Sequence, residues 1–287
     1  MSLFVGLDIG GTKFLVAAAN EKGEIVHKIR RPTPLDLEQG LTLLHDMIDE
    51  VRQKQTLAGI GAAIGGPLDW EKGIVSPLHQ PQWRNIPLKQ IMQDKWQCSF
   101  AVDVDTNVAA LAEFHQLQNR VSRFLYMTIS TGVGGGLLTE GHLYRGTRGA
   151  HPEIGHQSIP FQCSFPERIE CECGADYCIE ALISGNGIRR IYQKPAEELN
   201  DDEWHEVAYN LGQSLRNMAA LYTPDLIVLG GSVAVGGGER LVPRATDLMR
   251  SNLKIVPIPR VRLSQFAEVA SLYGALLLAQ KGSSALE

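Results

Sequence analysis

Apolar and polar positions along the chain follow two rhythms, one of strands and one of helices. Leu3, Phe4, Val5 and Leu7 form a short apolar run that ends in Asp8 and the pair Gly10-Gly11, which predicts a buried strand entering a tight turn. Asn20 to Glu24 is a polar turn with Gly23 placed for positive φ, returning the chain into a strand from Ile25. Leu37, Leu41, Leu44, Ile48 and Val51 then recur at helical spacing, with Glu38, Asp46, Asp49, Glu50 and Arg52 on the solvated face. Leu57 to Ile64 reads as a buried strand. Phe100, Val102 and Val104 alternate as another, and Val108, Leu111 and Ala112 mark a helix beginning just after Asn107. Between Asp202 and Tyr222, an apolar stripe of Trp204, Val207, Leu211, Leu215, Met218 and Leu221 predicts a long core helix. Pro224 to Ser232 is a strand ending in Gly230-Gly231, and Ala267 to Ala279 is a small-residue helix that could return to the first domain. This alternation predicts α/β architecture with largely parallel sheets.

The strand-and-glycine opening occurs twice. Phe124 to Leu138 again runs from an apolar strand through a glycine-rich turn into a second apolar strand. Sliding one segment on the other sets Asp8 against Ser130 and Gly10 against Gly132, an internal duplication that argues for two domains in 287 residues. Gly10 and Gly11 leave backbone N–H groups open to a phosphate chain, Thr12 adds a hydroxyl and Lys13 a cation, and Asp8 is placed to hold magnesium through water. Thr131, Gly132 and Gly134 are their counterparts in the second turn. Taken singly, either segment also fits an ordinary hairpin with a Gly-Gly turn.

Net charge is -5 with no block of Lys or Arg, which argues against nucleic-acid and anionic-membrane partners. No apolar run reaches the roughly 18 residues of a membrane span and no signal segment precedes the first strand, so a cytoplasmic protein is expected. Five cysteines, three of them between Cys171 and Cys178, suit metal or thiol chemistry in a reducing compartment. His156, Cys171, Cys173 and Cys178 supply four N/S ligands, enough for a closed tetrahedral zinc site, with Cys163 a competitor for Cys171. The stretch from Gly65 to Pro87, with His79, Gln80 and Trp83, is long for a plain connection. It reads either as a surface loop packed on a buried Trp or as a functional loop. On pattern alone, Asp105 is a first-turn acid and Thr106 or Asn107 an N-cap.

The two glycine turns, Asp105-Thr106-Asn107, and Glu153-Ile154-Gly155-His156 followed by Cys171, Cys173 and Cys178 resemble the ROK family (repressors, open reading frames, kinases) of the sugar-kinase, Hsp70 and actin superfamily. The resemblance runs over nearly the whole chain. It implies two actin-like (ribonuclease H-like) α/β domains flanking a nucleotide and sugar cleft. The first spans 1–118, with 272–287 returning to it, and the second 119–271 carries the zinc motif. It further implies an ATP-dependent kinase acting on the 6-OH of an unsubstituted hexose, with glucose ahead of fructose, using Mg²⁺ and a structural Zn²⁺, and a homodimer. Asp105 would be the catalytic base, and Gly66, Asn107, Glu153, His156 and Glu180 would contact the sugar. Gly230 and Gly231 would pack the adenosine, where their own pattern equally fits a tight strand-to-helix turn. His151-Pro152 before the Glu-x-Gly-His resembles a branch that includes bacterial fructokinases, and Tyr177 stands where the family usually has Gly. N-acetylmannosamine kinases share these frames and are the alternative within the class. A sugar-responsive repressor is the alternative outside it, but such relatives carry a helix-turn-helix ahead of the first strand, which here begins at about residue 3.

Overall fold

The computed structural model describes residues 2–117, 121–175 and 177–285. They form two compact units: Met1–His115 with Arg145–Ala150 and Val269–Glu287, and Gln116–Tyr144 with His151–Glu268. The junction expected at 118 and 119 lies outside the described residues.

In the first unit the opening hairpin is β1 (Leu3–Ile9) and β2 (Lys13–Ala19), continued by β3 (Ile25–Pro32) after the Asn20 turn, where Gly23 has φ 80°. Helix α1 (Leu37–Arg52) starts where the Asp36 side chain accepts from the Gln39 N–H at 3.0 Å, and it buries Leu44, Met47, Ile48 and Val51. Each such side chain contributes about 1.5–3 kcal/mol of burial. β4 (Leu57–Ile64) follows and pairs parallel with β1. The long segment after it is not an open loop but a small antiparallel sheet of β5 (Leu68–Asp69), β6 (Ile74–Val75) and β7 (Ile86–Pro87). Trp83 fills the space beneath, fully buried and edge-on to Phe14. Helix α2 (Leu88–Trp96) leads to β8 (Ser99–Val104), parallel to β4, and then to α3 (Asp105–His115). The sheet order is β3-β2-β1-β4-β8.

The second unit repeats this plan. Hairpin β9 (Arg123–Ile129) and β10 (Val133–Thr139) is continued by β11 (His142–Leu143), and β12 (Leu226–Gly230) and β13 (Arg260–Leu263) add in parallel, giving the order β11-β10-β9-β12-β13. In both sheets the first hairpin strand is central, with two strands added by antiparallel pairing on one side and two by parallel pairing on the other. The duplication inferred from two glycine turns is thus a duplication of whole sheets. Helices α4 (Ile179–Ile183), α5 (Gly185–Tyr192), α6 (Asp201–Tyr222) and α7 (Ser232–Ser251) complete the unit. Asn200 and Glu203 close a capping box at the start of α6.

The last helix, α8 (Ala270–Lys281), belongs to the first unit. It lies directly on the sheet because glycines clear its path. A Cβ on Gly61 would overlap the Ala275 carbonyl, and one on Gly274 the Val108 carbonyl of α3. No helix among the described residues is long and apolar enough to cross a membrane.

Candidate active site

Backbone pairing decides which atoms of the first glycine turn can face a ligand. The Gly10 N–H donates to the Lys13 carbonyl at 3.0 Å, and the Gly10 carbonyl accepts from the Thr33 hydroxyl at 2.6 Å. The Gly10 donor expected to serve a phosphate is therefore used inside the hairpin. Gly11 and Thr12 form an exposed tip, with Lys13 half-buried behind it. In the second turn the Ser130 N–H donates to the Gly132 carbonyl at 2.9 Å, leaving Thr131 alone at the tip. Counted from these closing pairs, Gly10 corresponds to Ser130, two residues away from the register read off the glycines. Pairing of the strands, not the glycine positions, sets the equivalence.

Asp8 sits one residue before the end of β1, half-buried, and its Oδ2 accepts from the Ser271 hydroxyl of α8 at 2.9 Å. Burial pushes its carboxyl above the ordinary carboxylate range, while the Ser271 hydrogen bond and the Lys13 charge pull it down. His79 packs on the tip of this turn, since a Cβ on Gly11 would lie 3.3 Å from its own Cβ. The Arg84 guanidinium holds the loop by donating to the carbonyls of Ser76, Pro77 and Leu78, and the Leu78 N–H donates to the Gly66 carbonyl at 3.0 Å. The His79-Gln80 loop thus links the Gly11 tip to the Gly66 turn. Gln80 is buried, and its amide nitrogen meets no partner among the described residues.

At the end of β8 the helix begins at Asp105 itself, not after Asn107. Its Oδ1 accepts from the Thr106 N–H at 2.7 Å, at the N-terminal end of α3. Thr106 and Asn107 are consequently inside the first turn and do not cap it. Asn107 is 1 % exposed; its Nδ2 donates to Asp103 at 3.3 Å, and its Oδ1 has no partner among the described residues. Asp103, two residues before Asp105, is fully buried and also pairs with Arg145 at 2.6 Å. Arg145 stacks over Trp70 at 4.4 Å. The pair was illegible in the sequence because Asp103 and Arg145 are 42 residues apart. Only the Asp-x-Asp spacing hinted at it.

In the second unit Glu180 opens α4, and its Oε2 accepts from the Val133 N–H at 2.8 Å, just past the second glycine turn. A Cβ on Gly132 would lie 2.7 Å from that oxygen. The start of α5 braces the turn from below: the Gly185 N–H donates to the Ser130 carbonyl at 2.6 Å and the Asn186 N–H to the Thr131 carbonyl at 3.2 Å. Glu153 is exposed and pairs with His151 at 3.3 Å, three residues before His156 on a single 3₁₀ turn. Gly230 and Gly231 both have packing reasons: a Cβ on Gly230 would overlap the Tyr126 hydroxyl, and Gly231 has φ 87°.

His156, Cys171, Cys173 and Cys178 do come together, with one ligand atom from each lying within 4.8 Å of the others. The Cys171 Sγ is 3.7 Å from His156 Nδ1. Bonds of about 2.3 Å to sulfur and 2.0 Å to nitrogen give ligand–ligand edges of about 3.5–3.8 Å around a tetrahedral ion, so the donor set fits zinc with a small contraction. Cys163 is not in this cluster; it packs on the apolar core of its unit. Burial pushes the Cys178 thiol up to about 12 and raises Cys171 as well, while a backbone N–H lowers exposed Cys173.

Two sheets of identical order, each led by a hairpin with a tight turn, define the actin-like class of α/β proteins that includes the sugar kinases. The model of the ROK family matches residues 4–282, and the chain belongs to that family. It is 27 % identical to the glucokinase of Halalkalibacterium halodurans, over 99 % of this chain and 97 % of that one. To the putative fructokinase of Bacillus subtilis it is 32 % identical, over 79 % and 76 %. Its fold matches the crystal structure of the ROK hexokinase from Thermus thermophilus with a TM-score of 0.80, at 28 % identity, over 96 % of this chain and 97 % of that one.

Proposed function

We propose that the chain is an ATP-dependent hexose kinase that phosphorylates the 6-OH of an unsubstituted hexose, glucose ahead of fructose. The observation that carries this reading is the start of α3. A carboxylate on the first helical residue stands two positions from a buried amide oxygen that meets no donor among the described residues, so a hydroxyl-bearing ligand would complete it. Leaving such an acceptor unmade costs about 1–3 kcal/mol, a cost that binding a sugar hydroxyl removes.

Asp105 accepts the proton of the attacking hydroxyl as the sugar oxygen bonds to the γ-phosphorus and the bond to the β-phosphate oxygen breaks. Gly11, Thr12, Lys13, Thr131 and Gly132 offer donors and charge to the phosphates, and Asp8 would hold a Mg²⁺ ion, which would supply neutralisation of phosphate charge. Gly66, Asn107, Glu153, His156 and Glu180 bind the sugar hydroxyls. Their polar character supports an unsubstituted hexose, because an N-acetyl group needs an apolar recess. His156 and the three cysteines hold one structural zinc, which fixes the segment running from Cys178 directly into Glu180. The kinase reading extends to a cytoplasmic homodimer.

A coupled ADP-release assay over glucose, fructose, mannose and N-acetylmannosamine tests this. The expected result is the highest kcat/KM for glucose. Preference for N-acetylmannosamine overturns the substrate assignment, and turnover of no sugar overturns the kinase itself.

A further inference from the structure

We propose that Asp103 is a positioning residue that fixes which end of the Asn107 amide meets the sugar, so that this position selects a hydroxyl that donates. The inference rests on the kinase reading above.

An ionised carboxylate only accepts hydrogen bonds. Asp103 Oδ1 takes the Val104 N–H at 2.6 Å and the Asn107 Nδ2 at 3.3 Å, and Oδ2 takes the Arg145 guanidinium at 2.6 Å. With Asp103 as neighbour, Asn107 must turn its NH₂ inward and its Oδ1 away. That oxygen is the buried acceptor without a partner, so the ligand atom it meets must carry a hydrogen. Arg145 supplies the counter-charge to the carboxylate of Asp103, whose side chain is 1 % exposed. It is itself set by the face of Trp70, on which Gly149 also rests. The small sheet holding Trp70 nearby, the 145–150 segment and α3 therefore converge on one amide.

Asp103→Asn reverses the arrangement. Arg145 can only donate and carries the charge, so it claims the new amide oxygen at the Oδ2 place, and the new NH₂ takes the Oδ1 place, gives up the Val104 N–H and faces Asn107. Asn107 answers by turning its own oxygen inward, which presents its NH₂ to the ligand. A site that demanded a donor now favours an acceptor.

The experiment compares glucose with its 2-, 3- and 4-deoxyfluoro derivatives, or the fructose set if fructose is preferred. Fluorine accepts weakly and donates nothing. The unmutated protein is expected to disfavour one derivative by roughly 10- to 100-fold in kcat/KM, the effect of an acceptor left unpaired. In Asp103→Asn that ratio falls to about unity or below, through KM, while the ratios at other positions hold. The double variant Asp103→Asn with Arg145→Gln removes both buried charges, which a fold tolerates better than breaking one, and should also lose the selectivity. Arg145→Lys keeps both the carboxylate and a counter-charge for it, so it should leave the ratio intact even where Tm falls. General loosening of the fold would not move one ratio alone. Unchanged selectivity in both Asp103 variants, or no disfavoured derivative in the parent, overturns the proposal. Dissociation constants from calorimetry give the same ratios without turnover, so absent turnover with intact, Asp103-dependent selectivity would count against the kinase reading only.

Discussion

At the end of β8 two carboxylates two positions apart meet different surroundings because the strand stops between them. Asp103 is still in the sheet and buried, while Asp105 has passed onto the first turn of α3. If Asp105 takes the proton in the transition state, Asp105→Asn lowers kcat by about 10²–10⁴ with a much smaller change in KM for the sugar, measured in the ADP-release assay. Near-normal turnover would remove Asp105 from the chemistry. Asp8 makes a second residue-level prediction. Its folded pKa is raised, so the native state holds this proton more tightly than the unfolded chain does. The associated stability is present below the unfolded value of about 3.9 and is lost as pH rises through the folded value. At neutral pH the charged carboxylate is thus a liability retained for function. Asp8→Asn should raise Tm of the nucleotide- and metal-free protein at pH 7, with the gain shrinking toward pH 4, while kcat/KM for ATP falls by roughly 10² or more. A lower Tm at pH 7 would contradict this account.

Among the elements, α1 and α6 were legible because burial imposes a period of 3.6 on them, and they lie within a residue or so of where their apolar stripes place them, whereas α7, interrupted at Gly238 and carrying Pro243, was not read. The small sheet of β5, β6 and β7 was not, since its two-residue strands are too short to show any period. Nor was the start of α3, because Asp, Thr and Asn suit a cap as well as a first turn. In the site, the gathering of His156 with Cys171, Cys173 and Cys178 could be read from their spacing, whereas Ser271 on Asp8 and Arg145 on Asp103 could not, being contacts made only by folding. One substitution at the second turn changes meaning accordingly. Gly132→Ala meets Glu180 before it meets any phosphate, so it should raise KM for the sugar by about tenfold, the loss of one positioning hydrogen bond. Gly11→Ala, with 3.3 Å to His79, should act on KM for ATP instead. Equal effects of both variants on both substrates would show that the turns do not divide the work.

For the molecule as a whole, zinc held by His156, Cys171, Cys173 and Cys178 would link stability to pH and, through Glu180, to sugar binding. Purified protein is expected to hold one zinc per chain by metal analysis. Binding must displace protons from Cys178 and Cys171, whose thiols burial raises, so chelators should strip the metal faster at pH 6 than at pH 8. Metal removal should lower Tm and raise KM for the sugar more than KM for ATP, because Cys178 leads directly into α4 and Glu180. Absence of zinc from protein prepared without chelators would refute the site.

The placement of α8 sets an order on biosynthesis. The first unit to leave the ribosome cannot be the first to finish, because the helix that covers Gly61 and donates to Asp8 is made last. Between His115 and Ala270 the nascent sheet waits with that face bare, for about 8–30 s at translation rates of roughly 5–20 residues per second. The second unit draws no strand of its described sheet from beyond Leu263, so its completion does not wait on α8. A released chain truncated before Ala270 should therefore hold a protease-resistant second unit and a protease-sensitive first one, because the first depends on α8 to cover Gly61 and to give Asp8 its Ser271 partner.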